Sequence, residues 1–400
     1  MPKDFSHRLQ SLGTETAFLV SKDANEFAAK GNKIYPFHLG DINITTPTNI
    51  IKKSELAMKK GKTGYVPSEG IPGLRDAIAE KIGAERNVHF SRDNIVVQPG
   101  GKPVIMKFIN CLMNLGDEVL YPNPGYPIYE SQIDYHGGVA VPYFYKFQDN
   151  CFVIDRKKFE QSINEKTKIL IYNNYQNPIG SESSQDEMQW IAKMAIKNNL
   201  WVLSDEAYFN IQYYKKPKSI VSIPGMLERT VILYTFSKTY AMTGWRLGAA
   251  IGPKSIMKHF ATLSVNDESC TNHFIQYGGI EALKGNQEGA KIILNKLKNR
   301  RNLLASKLKK INGLNLFLPN STFYLFPEVT DIYNRMGAVS YEDFRKQTLL
   351  NTGVAFCTRE HFGRVYKHET RKYIRFAYSG ISLNQIDEGI NRLTEYWGNL

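Results

Sequence analysis

Six short, almost continuously apolar runs punctuate the middle of the chain. They are NIVVQ (94–98), DEVLYP (117–122), KILIYN (168–173), LWVLSD (200–205), TVILYT (230–235) and LGAAIG (247–252). Each is too short for a stable helix and lacks polar alternation, so each predicts a strand buried on both faces. Longer amphipathic stretches separate several of them. In residues 183–199, Ser184 and Glu187 have capping-box spacing at a helix start. Strands alternating with helices predict an α/β fold: a mostly parallel sheet with helices on both faces.

The last hundred residues follow another pattern. A long charged helix is expected over 288–311, STFYLF, GVAFC and KYIRFAY read as strands, and 382–397 reads as a closing helix with Ser382 and Gln385 as its capping box. This predicts a smaller α+β unit. The first segment, which ends in the GDINITTP turn, is grouped with it, giving boundaries at 1–48, 49–295 and 296–400.

Composition narrows the function. Of the 400 residues 42% are hydrophobic and 22% charged, which excludes a disordered chain. No apolar run approaches the ~18 residues of a membrane span, and the first residues show no secretory h-region; a cytoplasmic protein is expected. The net charge of +13 raises nucleic-acid binding, but no long basic block or recognition motif accompanies it, so none is expected. Cys111, Cys151, Cys270 and Cys357 form no C-x-x-C pair or zinc spacing. They read as reduced, mostly buried thiols, and no metal is expected.

In open parallel sheets ligands bind beyond the carboxyl ends of the strands. NIVVQ is followed by PGGKP, where Gly100 and Gly101 allow close backbone approach before a helix begins. Free N–H groups and a helix dipole there form a phosphate cradle, although the pattern alone equally describes an ordinary strand–helix turn. KILIYN leads to Asn177, LWVLSD ends in Asp205 with Tyr208 after it, and TVILYT delivers Thr235, Ser237 and Lys238, then Arg246. Singly these read as a turn former, a helix cap and a surface charge. Together they point into one crevice. The G-x-G-x-x-G of a dinucleotide site and the glycines of a P-loop are missing. A lysine able to bond a carbonyl, an aspartate for a pyridinium nitrogen and a phosphate site are what pyridoxal phosphate demands.

SKTYAMTGWRLG resembles the cofactor-lysine signature of class I/II pyridoxal-phosphate aminotransferases of PLP fold type I. The resemblance covers nearly the whole chain, through LGTETAF, GYVPSEGIPGLR, PGGKP, GDEVLYPNPGYPIYE, NPIG, SDEAY and YIRFAYSG. It implies that Lys238 bonds the cofactor and moves the substrate proton, and that Asp205 faces the pyridine nitrogen. Asn177 and Tyr208 would bond the ring's 3-oxygen, and Tyr126 would stack on the ring. Gly100, Gly101, Thr235, Ser237 and Arg246 would hold the phosphate, with Lys102 near the phosphate or the substrate side chain. Arg375 would grip the substrate α-carboxylate beside Gly40. Tyr65 would reach the phosphate of the neighbouring subunit, which implies a homodimer with a shared active site.

The implied reaction moves an amino group from an L-amino acid, aspartate-like, to a 2-oxo acid such as 2-oxoglutarate. Aromatic or LL-diaminopimelate transamination, and a β-lyase or synthase on the same fold, are the alternatives. The chain departs from the family pattern on the substrate side: GDINI stands for GEPDF, NPIG for NPTG, Ser321 for a glycine and TREHFG for P-G-x-x-F-G. Arg359 and His361 in that last stretch are candidate side-chain contacts, or else solvent-facing loop residues.

Overall fold

The computed structural model describes residues 5–13 and 17–400; positions 14–16 of the LGTETAF stretch lie outside the described residues. All six apolar runs form strands of one eight-stranded sheet. Its members are β1 (Ile95–Gln98), β2 (Glu118–Asn123), β3 (Val139–Gln148), β4 (Cys151–Ile154), β5 (Thr167–Tyr172), β6 (Trp201–Asp205), β7 (Thr230–Thr235) and β8 (Gly248–Ile251). The order across the sheet is β1-β8-β7-β6-β5-β2-β3-β4. β7, β6, β5, β2 and β3 are mutually parallel. β8 runs antiparallel between β1 and β7, and β4 closes the far edge as the return strand of a hairpin with β3.

The continuous hydrophobicity of the central runs has a direct cause. Successive side chains of a strand point to opposite faces, and helices cover both. Val97, Ile232 and Ile251 pack with Leu74, Ile78 and Ile82 of the helix Pro72–Arg86 on one face. Val96, Ile169 and Val231 pack with Val104, Ile105 and Phe108 of the helix Lys102–Leu112 on the other. The edge hairpin was not foreseen. β3 is only half buried along most of its length and contains Pro142, a residue that sheets confine mainly to edges.

The helix Gln185–Lys197 starts where expected, but its capping box is half formed. Ser184 Oγ accepts from Glu187 N at 3.1 Å, while the Glu187 carboxylate accepts from Ile154 N at 2.8 Å and so ties the helix to β4 instead. The closing helix Leu383–Gly398 does carry its full Ser382/Gln385 box.

The two ends of the chain meet. Tyr35–Pro36 pairs in parallel with Val354–Ala355. Ile374–Ala377 lies between Tyr324–Leu325 and Cys357–Thr358, antiparallel to both. Leu297, Leu304 and Leu308 of the helix Glu288–Leu308 share a core with Tyr35, Phe37, Ile390, Leu393 and Trp397. The expected boundary at 295/296 falls inside that continuous helix. All four cysteines are free; only Cys357 is fully buried, fewer than the sequence suggested. Among the described residues no helix is long and apolar enough to cross a membrane.

Candidate active site

The carboxyl ends of β1, β5, β6 and β7 open onto one cavity of about 690 Å³. Gly101, Lys102, Asn177, Asp205, Tyr208, Thr235, Ser237, Lys238 and Arg246 line it from the sheet side, with Tyr126 beside them; Gly40 and Arg375 line it from the two chain ends.

After β1 the backbone turns through Gly100 at φ +101°, a region that favours glycine. A Cβ there would stand 2.1 Å from Arg246 Nη2. Gly100 therefore lets the guanidinium lie against the turn, although Gly100 itself does not line the cavity. The helix Lys102–Leu112 begins directly beyond, with Gly101 at its N-cap, and Gly101 and Lys102 line the cavity, so the positive end of the helix dipole lies at the cavity, where an anion would be favoured. Arg246 adopts the left-handed region at φ 54°, and its Nη1 donates to Thr243 O at 2.7 Å. Thr235 Oγ1 donates to Ser237 Oγ at 2.9 Å. A guanidinium, two hydroxyls and a helix start at one end of the cavity form an anion-binding set.

Asp205 ends β6 and is buried. Burial pushes its carboxyl above the usual value of 3.8; the Tyr129 hydrogen bond, the Ala207 amide and the Lys238 charge work against that shift. Tyr129 OH donates to Oδ2 at 2.5 Å, and Ala207 N donates to Oδ1 at 3.1 Å. Burial raises the Tyr129 phenol well above 10, so it stays a donor. Asn173 Nδ2 donates to the Asp205 carbonyl at 3.0 Å, which fixes the strand end.

Lys238 Nζ donates to the Gly40 carbonyl at 3.0 Å and lies 5.4 Å from the centre of the Phe323 ring. Gly40 is required by packing: a Cβ there would lie 2.3 Å from Tyr324 Oη. The Tyr324 and Tyr208 hydroxyls are 2.7 Å apart. Arg375 is buried. Its Nη1 donates to Asn177 Oδ1 at 3.0 Å and its Nη2 to the His38 carbonyl at 2.6 Å. Its guanidinium carbon lies 4.4 Å from the Tyr324 ring centre and 4.5 Å from that of Phe362. Two aromatic faces and two acceptors thus fix the plane of a permanently charged fork, the geometry for a carboxylate.

Tyr65 is 90% exposed and not part of the cavity wall. Arg359 corrects an expectation, because it is neither a cavity contact nor a solvent-facing residue. It is buried, with Nε and Nη2 donating to the Glu369 carboxylate at 2.8 and 2.9 Å and Nη2 also donating to Asn123 Oδ1 at 2.7 Å. Its charge is consumed in holding residues 359–369 against the end of β2. His361 does line the cavity.

Tyr129, Asn173, Tyr324 and His38 were missed. Tyr129 carried a usable signal: it follows Tyr126 by three residues, and the two rings meet edge to face at 5.7 Å. Tyr324 was read only as part of a strand, and nothing local indicates that it fills the space above Gly40.

Comparison with known proteins identifies the family. The family model described as aminotransferase class I and II matches residues 35–393. An aspartate aminotransferase of Musicola paradisiaca is 30% identical over 100% of this chain and 98% of its own length. A probable aspartate/prephenate aminotransferase of Aquifex aeolicus is 31% identical, covering 98% of each chain. The solved structure of the Thermus thermophilus aspartate aminotransferase with maleate superposes with a TM-score of 0.90 at 26% identity, covering 98% of this chain and 100% of that one. With a family match spanning most of its length and relatives aligned end to end, the chain belongs to the class I and II aminotransferases.

Proposed function

We propose that the protein is a pyridoxal-phosphate-dependent aminotransferase that moves the amino group of an L-amino acid, aspartate-like, to a 2-oxo acid such as 2-oxoglutarate. One observation carries the reading: Lys238, Asp205, Arg246 and Arg375 line a single cavity. An amine, a buried carboxylate, an anion cradle and a carboxylate fork are the four groups this cofactor and an amino acid require.

The residues fit the cofactor. The Gly100 turn that a Cβ would fill, Arg246, Thr235, Ser237 and the N-terminus of the helix Lys102–Leu112 suit its phosphate. Asp205, held by Tyr129 and the Ala207 amide, suits its ring nitrogen. Asn177 and Tyr208 suit its 3-oxygen, and Tyr126 offers a ring to stack on. When bound, pyridoxal phosphate supplies the electron sink that lowers the cost of removing a proton from the substrate α-carbon.

The protein's side chains do the rest. Lys238 holds the cofactor and moves the proton at the α-carbon as general base and acid. Asp205 keeps a proton on the ring nitrogen by supplying the opposite charge. Arg375 binds the α-carboxylate bidentately and so orients the α-carbon toward Lys238. Aspartate as donor is supported by the names of the relatives and by Lys102, whose ammonium group suits a second carboxylate. We also assign a homodimer in which exposed Tyr65 completes the partner's phosphate site, a cytoplasmic location, and a division into a large unit (49–295) and a smaller one built from both chain ends.

Lys238→Ala tests the reading. The purified variant should lack the visible absorbance of covalently held cofactor, and turnover should fall by at least about 10²- to 10⁴-fold, the usual worth of a positioned acid–base group. Turnover at the unsubstituted level would refute the assignment. A panel of amino donors and 2-oxo acids, followed as half-reactions, identifies the substrate.

A further inference from the structure

TREHFG replaces the frequent P-G-x-x-F-G and puts an imidazole into the cavity wall beside Phe362, the residue stacked on Arg375. The ring's orientation is fixed. Thr358 N, which can only donate, reaches His361 Nδ1 at 3.1 Å, Thr358 Oγ1 lies 2.9 Å from the same nitrogen, and the Thr358 carbonyl is farther, at 3.3 Å. We assign Nδ1 as the acceptor of the shorter backbone contact, which puts the proton on Nε2. Among the described residues Nε2 makes no hydrogen bond, and it is not sealed from the cavity. The turn cannot easily swing away, because Arg359 anchors it to Glu369 and Asn123. Burial first, and then the Arg345 charge, hold His361 down at about 4, so the ring is neutral at physiological pH. Phe362, the next residue in the chain, lines the same cavity.

We propose that His361 is a specificity-determining residue: its Nε2–H selects amino acids and 2-oxo acids whose side chain carries an acceptor oxygen, a carboxylate or a carboxamide, over apolar side chains of the same shape. This rests on the aminotransferase reading and adds to it a residue outside the usual family pattern. A site built to hydrogen-bond its substrate leaves a buried donor unpaired when the acceptor is missing, and that is the basis of discrimination.

The test compares L-asparagine with its near-isostere L-leucine, and L-aspartate with both, as half-reactions of the holoenzyme. The binding of succinate against butyrate, which have no amine to transfer, gives the same comparison without chemistry. The variants are His361→Asn, whose Oδ1 can still accept from Thr358 N, and His361→Ala. The unsubstituted protein should favour the acceptor-bearing member of each pair. Both variants should lose about tenfold of that ratio, the worth of one hydrogen bond with its unpaired-donor penalty. A ratio unchanged in both variants, or an unsubstituted protein that favours leucine over asparagine, overturns the inference while leaving the aminotransferase reading intact. If no amino donor reacts at all, that reading fails instead, and the succinate-to-butyrate ratio still decides the role of His361.

Discussion

Removing one hydroxyl next to Asp205 gives the sharpest test of how the ring-nitrogen partner is kept charged. Asp205 is buried, and its carboxyl is pushed up by that burial against the pull of Tyr129. Tyr129→Phe deletes the 2.5 Å hydrogen bond and leaves an apolar ring of nearly the same shape. A hydrogen bond to a charged group is worth about 1.5 to 3 kcal/mol. That loss favours the protonated carboxyl and raises the Asp205 pKa further.

The sign of the linked stability follows. A carboxyl whose folded pKa exceeds its unfolded value binds its proton more tightly when folded. The cofactor-free protein therefore loses stability as pH rises from about 3.8 through the folded pKa, and Tyr129→Phe extends that window upward. The assay is a carboxyl titration of the cofactor-free protein by difference infrared spectroscopy, with Asp205→Asn identifying the band. Cofactor affinity, measured in parallel, should weaken by about 10- to 100-fold, the same energy expressed in binding. An Asp205 band that titrates at the same pH in the variant would refute the reasoning, because the hydroxyl would then contribute nothing to the ionised state.

Two further substitutions separate binding from scaffold. Gly100→Ala drives a Cβ into Arg246 at a backbone angle hostile to alanine; cofactor affinity, read by equilibrium dialysis, should fall at least about tenfold, for the loss of one charge-assisted contact. Arg359→Ala strands the Glu369 carboxylate and should cost about 3 to 5 kcal/mol of stability in denaturant unfolding. Where the variant remains folded, the ratio of kcat/KM for asparagine over leucine should fall toward that of the His361 variants, because the turn that carries His361 has lost its anchor.

The cofactor end of the site was legible because it is local in sequence. Asp205, Thr235, Ser237 and Lys238 sit at or just beyond the ends of strands whose apolar runs announce themselves, so finding the strand finds the residue. Gly100 and Gly101 were legible for the same reason. What escaped depends on contacts between distant segments. Gly40 is a glycine because of Tyr324, and Arg375 is oriented by Asn177 and His38; none of these pairs shares a local pattern. Arg359 misled because a buried arginine and a substrate-binding one look alike until their partners are known. The antiparallel course of β8 was also hidden, since a fully buried strand reads the same in either direction.

The pairing of Tyr35–Pro36 with Val354–Ala355 has a consequence for how the protein is made. During synthesis the opening segment leaves the ribosome hundreds of residues before its partner strand exists, while the strand-and-helix centre can already collapse around its own core. Tyr35 and Phe37, buried in the finished molecule, remain uncovered throughout that interval, a natural ligand for chaperones that bind apolar segments. Because Gly40 and Arg375 both line the cavity and come from segments far apart in the chain, a nascent fragment that lacks Arg375 carries no complete site.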